Sequence, residues 1–304
     1  MELSVNTSFS SSFRQKLGEE KILELIAQAG FPAAELSLDW LHTPEAANDK
    51  EGCLAYAKRI KKAAEKVGLR LNQAQLPYDF NWMMRDTDVL NFVVYPCMER
   101  AFEICRFLEI PYAVARPIEH PMTIGLPSRK FTWNIAHFGK LADTASRFGV
   151  AVCAENMIGT MSVVREMNTL FDRLPGKMLY ACANVGHSNI AGDTPADMIR
   201  GIEAGRVRTL HISGNQTAYD ECMMPGVDQI DWTAVLEALT DIGYEGDFTL
   251  QLSEWAMGAL DGKHGFDETF LPAVLEFAYD CGSYLMGKLQ KMQAERAGKE
   301  GGAR

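Results

Sequence analysis

Seven side chains able to move protons, carry charge or grip hydroxyl groups stand at or just past the ends of short apolar runs: Gln75, Arg116, Glu155, Asn184, His187, His211 and Gln251. A carboxylate and imidazoles can take up and return protons near neutral pH. A guanidinium can stabilise a developing oxyanion, and an amide both donates and accepts hydrogen bonds. Read as strands, the runs deliver these residues at their C-terminal ends, with His187 just beyond the sixth. Residues so placed on parallel strands could converge on one pocket.

The runs cover 2–6, 33–38, 69–75, 111–116, 150–155, 178–184, 207–212 and 247–252. Each is short, apolar or β-branched, and bounded by turn residues. Amphipathic helices fill the intervals. In 19–29, Ile22, Leu25, Ile26 and Ala29 share a face. In 194–205, Thr194 caps and Pro195 takes the first helical position. In 231–242, Asp231 caps a stripe of Trp232, Val235, Leu236, Leu239 and Ile242. Gly30, Gly68, Gly149 and Gly243 mark helix ends. This alternation predicts an α/β fold, a (β/α)8 TIM barrel in a single domain with a long C-terminal helix over 266–293. The barrel and helix take residues 1–293, and 294–304 reads as a polar, disordered tail. An open doubly wound sheet is the rival. It is disfavoured because no GxGxxG follows the first strand and no Pro-, Gly- or Ser-rich linker divides the chain.

The net charge of −10 over 304 residues disfavours nucleic acid as a partner. No run approaches the roughly 18 apolar residues that would cross a membrane, and the N-terminus shows no targeting segment. The cysteines number seven, an odd count with scattered spacing and no CxxC. They read as reduced thiols of a cytoplasmic protein. The long C-terminal helix could reach a second subunit, so a homo-oligomer is expected.

Five segments carry a more specific signal: Ala-Glu-Asn (154–156), Cys-Ala-Asn-Val-Gly-His (182–187), Leu-His-Ile-Ser-Gly-Asn (210–215), Ile-Asp-Trp (230–232) and Leu-Gln-Leu-Ser (250–253). In this order they resemble the xylose isomerase-like TIM barrels, the sugar-phosphate isomerase and epimerase superfamily. The resemblance runs from about residue 1 to 280. It implies a carbohydrate or polyol ligand and a divalent cation, Mn, Mg or Zn, held by Glu, Asp, His and Glu at the ends of strands five to eight. Glu155 and His211 match that set. Asn184 stands where the family has Asp, and Gln251 where it has the last Glu. Gln75 and Arg116 occupy places where His is frequent, and Cys222 lies where an Asp-x-His segment is common.

These departures carry physical consequences. The family's ligands bring a formal charge of about −3, whereas this set brings about −1, and amide oxygens bind hard cations more weakly than carboxylates. Weak or absent metal binding is expected. Two-base epimerisation is disfavoured, because Gln251 cannot accept and return a proton. Single-base isomerisation through an enediol could use Glu155, with Arg116 taking part of the metal's electrostatic role. Glu155, His211 and Gln251 are thus the candidate catalytic positions. Gln75, Arg116, His187, Trp40 and Trp255 are the candidate substrate contacts, the aromatics suiting the apolar face of a sugar. Trp82, Met83 and Met84 suit a ligand, a subunit interface or a loop core. Three readings follow: a sugar or polyol isomerase or epimerase with an altered site, a catalytically inactive barrel that binds a carbohydrate-like ligand, and an abasic-DNA endonuclease. The acidic surface and the lack of a larger ligand set weaken the last.

Overall fold

The computed structural model describes residues 1–78, 87–118, 127–253 and 267–301. Eight strands, β1 (Leu3–Asn6), β2 (Ala33–Ser37), β3 (Arg70–Gln75), β4 (Tyr112–Ala115), β5 (Ala151–Glu155), β6 (Leu179–Asn184), β7 (Val207–His211) and β8 (Phe248–Leu250), pair in parallel in the order β7-β6-β5-β4-β3-β2-β1-β8. The ring closes between β7 and β8. There the Ile212 amide donates to Thr249 O and the Gln251 amide to Ile212 O, both at 2.8 Å. This is the expected barrel.

Alternation along the strands sorts side chains into two separate cores. Outward-facing Val5, Leu36, Val152, Leu210, Phe248 and Leu250 join one continuous apolar cluster with the helices. Inward-facing Val114, Cys153 and Cys182 form a second, small cluster inside the ring. The other inward positions are largely polar and buried: Ser4, Asn6, Glu35, Gln73, Glu155, Thr209, His211 and Thr249. The barrel interior is therefore a hydrogen-bonded column rather than an oil drop.

The principal helices are α1 (Glu19–Gln28), α2 (Lys50–Val67), α3 (Tyr95–Phe107), α4 (Pro127–Ser146), α5 (Val164–Arg173), α6 (Pro195–Gly201), α7 (Trp232–Asp241) and α8 (Leu271–Gly301). The caps fall where the sequence put them: Thr194 accepts from the Asp197 amide and Asp231 from the Ala234 amide. Two helices differ from expectation. α6 ends at Gly201 rather than near 205. Gly201 packs closely on α5: a Cβ there would lie 2.6 Å from the Val164 side chain. α8 runs to Gly301, past the expected end at 293. Residues 294–299, Ala-Glu-Arg-Ala-Gly-Lys, are mostly strong helix formers, and Arg296 Nη1 holds Asp241 of α7 at 2.7 Å. Trp232, assigned to the buried stripe of α7, is half-buried, and its indole Nε1 donates to Asp228 at 3.0 Å. Among the described residues no helix is long and apolar enough to cross a membrane.

Candidate functional site

The strand ends place Glu155 on β5, Asn184 on β6, His211 on β7 and Gln251 one residue past β8, all buried. Their polar atoms meet. Asn184 Nδ2 donates to Glu155 Oε1 and to Gln251 Oε1, each at 2.8 Å. His211 Nδ1 donates to Glu155 Oε1 at 2.8 Å. On its other side, His211 Nε2 donates to Glu35 Oε2 at 2.9 Å. A carboxylate only accepts, so a ring with both nitrogens on carboxylates carries two N–H groups and is an imidazolium.

Arg116, one residue past β4, completes the cluster. Its Nε donates to Glu155 Oε2 at 3.1 Å, and its guanidinium lies 4.0 Å from the centre of the Tyr78 ring, a cation–π contact. His187 sits in the short helix Val185–Ile190. Its Nδ1 donates to Asn156 O at 2.7 Å, and Nε2 faces Asp220 Oδ2 at 3.1 Å. Asn156 also clamps the end of β6, accepting from the Asn184 amide at 2.7 Å and donating to Asn184 O at 3.0 Å. The Cys222 thiol donates to Asp220 Oδ1 at 3.4 Å, and burial pushes its pKa up, so it stays a thiol.

Electrostatics follow from this packing. Burial alone would raise the Glu155 pKa, but the charges of Arg116 and His211 and the His211 hydrogen bond hold it well below the usual carboxylate range. Burial alone would lower the His211 pKa. The Cys182 sulfur and the Glu35 and Glu155 carboxylates outweigh burial and hold it well above the ordinary imidazole value. Linkage then fixes a pH window. The stability from Glu155 is present above its unfolded value of 4.5 and is lost as pH falls through the depressed folded value. The stability from His211 is complete below its unfolded value of 6.5 and is lost as pH rises through the raised folded value. The difference in urea midpoint between the parent and His211→Leu should therefore be largest between 4.5 and 6.5 and shrink on either side. A difference that stays constant above 6.5 would mean that His211 folds neutral.

Asn184 turns a donor, not an oxygen, toward the position where the family resemblance would put a divalent cation. Asn184 Oδ1 is engaged as the cap of the short helix, accepting from the His187 amide at 3.0 Å. Turning the amide over would set its oxygen against two acceptor oxygens, so the NH2 group is the one that faces the centre. An amide nitrogen with two N–H bonds has no lone pair to offer a metal. Among the described residues no group of three or more His, Cys, Asp or Glu is arranged to hold one.

The remaining candidates divide. Gln75 ends β3 and turns its Nε2 to Val114 O at 3.4 Å, leaving a buried Oε1 with no partner among the described residues. Trp40 packs against Tyr56 of α2, ring centres 4.8 Å apart and planes tilted by 57°. Trp255, like Trp82, Met83 and Met84, lies outside the described residues. Glu35 was not singled out in the sequence; Asp220, in the Asp-Glu-Cys stretch standing where an Asp-x-His segment is common, and Tyr78, in the aromatic loop after β3, were read without a role of their own. Glu35 had a visible signal: a lone carboxylate in Ala-Ala-Glu-Leu-Ser, at an inward position two residues before Ser37, must find a partner inside the ring.

Comparison with known proteins agrees with this fold. Solved structures of a D-tagatose 3-epimerase-like protein (18% identity, TM-score 0.73, 98% of this chain and 100% of the other) and of an L-ribulose 3-epimerase (19%, 0.71, 97% and 96%) superpose on it. So does an IOLI protein with a zinc atom (18%, 0.68, 95% and 98%). An uncharacterized protein of Methanocaldococcus jannaschii is 25% identical over 124 residues, 39% of this chain; the match spans 42% of that protein. The model of one family matches residues 23–264, and with the eight-stranded ring and its strand-end cluster it shows that this chain belongs to the xylose isomerase-like TIM barrel family.

Proposed function

We propose that this barrel binds a sugar or polyol over its strand ends, as a member of an isomerase and epimerase family whose centre is set by fixed hydrogen bonds and internal ions in place of a divalent metal. One observation carries the reading. Ser37 and Gln75 are register partners on β2 and β3, and both Ser37 Oγ and Gln75 Oε1 are buried with no partner among the described residues. Buried polar atoms are rarely left unpaired. A polyhydroxylated ligand supplies hydroxyls that donate and accept at such atoms. The seven cysteines, none in a disulfide, fit a cytoplasmic setting.

A second reading, single-base isomerisation through an enediol, is favoured by Glu155 alone. It is ionised at neutral pH and carries Arg116 at one oxygen, a cation placed to steady a developing oxyanion. Its depressed pKa makes it a weak base, so binding without turnover is the stronger reading. Calorimetry with D-tagatose, D-fructose and L-ribulose, followed by incubation of each in D2O, separates the two. Binding with no deuterium entering the carbon beside the carbonyl is the expected result. Deuterium uptake that disappears in Glu155→Gln would establish isomerase chemistry with Glu155 as base. Uptake that persists there would assign the base elsewhere, and no binding of any of the three would remove the sugar reading.

A further inference from the structure

Arg116 has donors to spare. A guanidinium carries several N–H groups in one plane, and here only Nε is used, donating to Glu155 Oε2 at 3.1 Å. The terminal nitrogens Nη1 and Nη2 make no hydrogen bond to any described residue. The side chain is 19% exposed, enough for a small molecule to reach it and too little for bulk water to solvate it fully. Tyr78 covers a face of the guanidinium at 4.0 Å from the ring centre. That contact holds the plane and leaves its edges free for hydrogen bonds.

The unpaired groups follow strand order. Ser37 and Gln75 end β2 and β3, Arg116 stands one residue past β4, and these strands are neighbours in the ring. Gln75 also reaches β4 directly, Nε2 to Val114 O at 3.4 Å. At about 4.8 Å per strand, the row spans roughly 10 Å, the scale of an extended six-carbon chain. It offers a hydroxyl, an amide oxygen and then a guanidinium edge. The first two call for hydroxyl groups. The third calls for an anion, because guanidinium and carboxylate match as two parallel forks. Neighbouring charges limit which anion. Glu155 and Asp220 both act on the guanidinium, but their oxygens are engaged. Glu155 Oε1 takes His211 and Asn184, and Oε2 takes Arg116 Nε. Asp220 Oδ1 takes the Cys222 thiol, and Oδ2 faces His187. The Nη edge is left open, and the negative charge beside it favours a singly charged carboxylate over a phosphate dianion.

We propose that the ligand of this barrel is a sugar acid, whose carboxylate takes the Nη edge of Arg116 and whose hydroxyls reach Gln75 Oε1 and Ser37 Oγ. The inference rests on the sugar reading above and narrows it. Calorimetry on the full chain compares D-gluconate, D-mannonate and D-galactonate with D-glucitol, D-mannitol and galactitol, each pair differing only in the carboxylate. At least one acid should bind at least about tenfold more tightly than its alditol, and D-glucitol 6-phosphate should bind more weakly than that acid. Arg116→Gln should abolish the preference for acid over alditol. Arg116→Lys keeps the charge that balances Glu155 but lacks the fork, so it should shrink the preference severalfold and serves if the Gln variant fails to fold. Acids no tighter than their alditols, ketoses that bind while no acid does, or a preference undiminished in Arg116→Lys would each overturn the sugar-acid assignment and leave the sugar reading standing. Tighter binding of the phosphate would overturn the carboxylate. Binding of no acid, alditol or ketose would remove the sugar reading, and this proposal with it.

Discussion

Mn2+ is expected to raise the melting temperature of an Asn184→Asp, Gln251→Glu double variant by several degrees while leaving the parent unmoved. The geometry sets the size and the sign. In the parent, the Asn184 NH2 group fills the centre, bridging Glu155 and Gln251 at 2.8 Å each. Asn184→Asp alone sets a carboxylate oxygen against two acceptor oxygens and should be the worst of the single changes. With both changes, three carboxylates face one another beside His211. Their repulsion lowers stability without metal and raises their pKa values. A divalent cation relieves it, and at a hundredfold excess over its dissociation constant it contributes about 2.7 kcal/mol to folding. For a chain of this size, that corresponds to roughly 4 °C. Thermal melts of parent and variant against Mn2+ decide the matter. Equal shifts would show that Asn184 and Gln251 do not stand at displaced ligand positions.

The second large effect lies one layer deeper. His211→Leu is expected to destabilise the protein by about 3–5 kcal/mol at neutral pH, the usual cost of stranding a buried charge. Glu35 is 1% exposed, and beyond His211 it accepts from Gln73 Nε2 at 3.3 Å. Glu155 keeps Arg116 and Asn184 when the ring is lost, so the stranded charge is Glu35. Glu35→Gln added to His211→Leu should therefore recover a large part of the loss, although Glu35→Gln alone is destabilising. Urea denaturation of the four proteins forms the cycle. If the two losses simply add, His211 matters by its volume and not by its charge.

Much of this was legible in the residues. All eight strands begin within a residue of their expected places, because period-two alternation and flanking turns are local signals. The cluster of Glu155, Asn184, His211 and Gln251 was legible for the same reason: each stands at the end of its run or one residue before it. Glu35 escaped because it sits in mid-strand, where a search of strand ends does not look. The pairing of Asp220 with His187 escaped because the two are 33 residues apart and joined only by a loop fold. The direction of the Asn184 amide was also hidden. It depends on the His187 backbone amide, which the short helix aims at Oδ1. The reach of α8 was underestimated, since polarity was taken for disorder where helix propensity and the Arg296–Asp241 pair hold the backbone.

The hydrogen-bonded column inside the ring has a grammar. Ser4 donates to Asn72, Asn72 to Thr249, Thr249 to Gln73, and Gln73 to Glu35. From there, sources and sinks alternate: His211 gives to Glu35 and Glu155, and Asn184 gives to Glu155 and Gln251. Changing a source into a sink breaks two bonds at once, so drift at one rung strands its neighbours. Position 184 is the hinge of this pattern: a donor there bridges Glu155 and residue 251 whether 251 is Gln or Glu, because either side chain offers an acceptor oxygen. An acceptor at 184 instead sets three oxygens against one another, and only a cation or a proton can then join them.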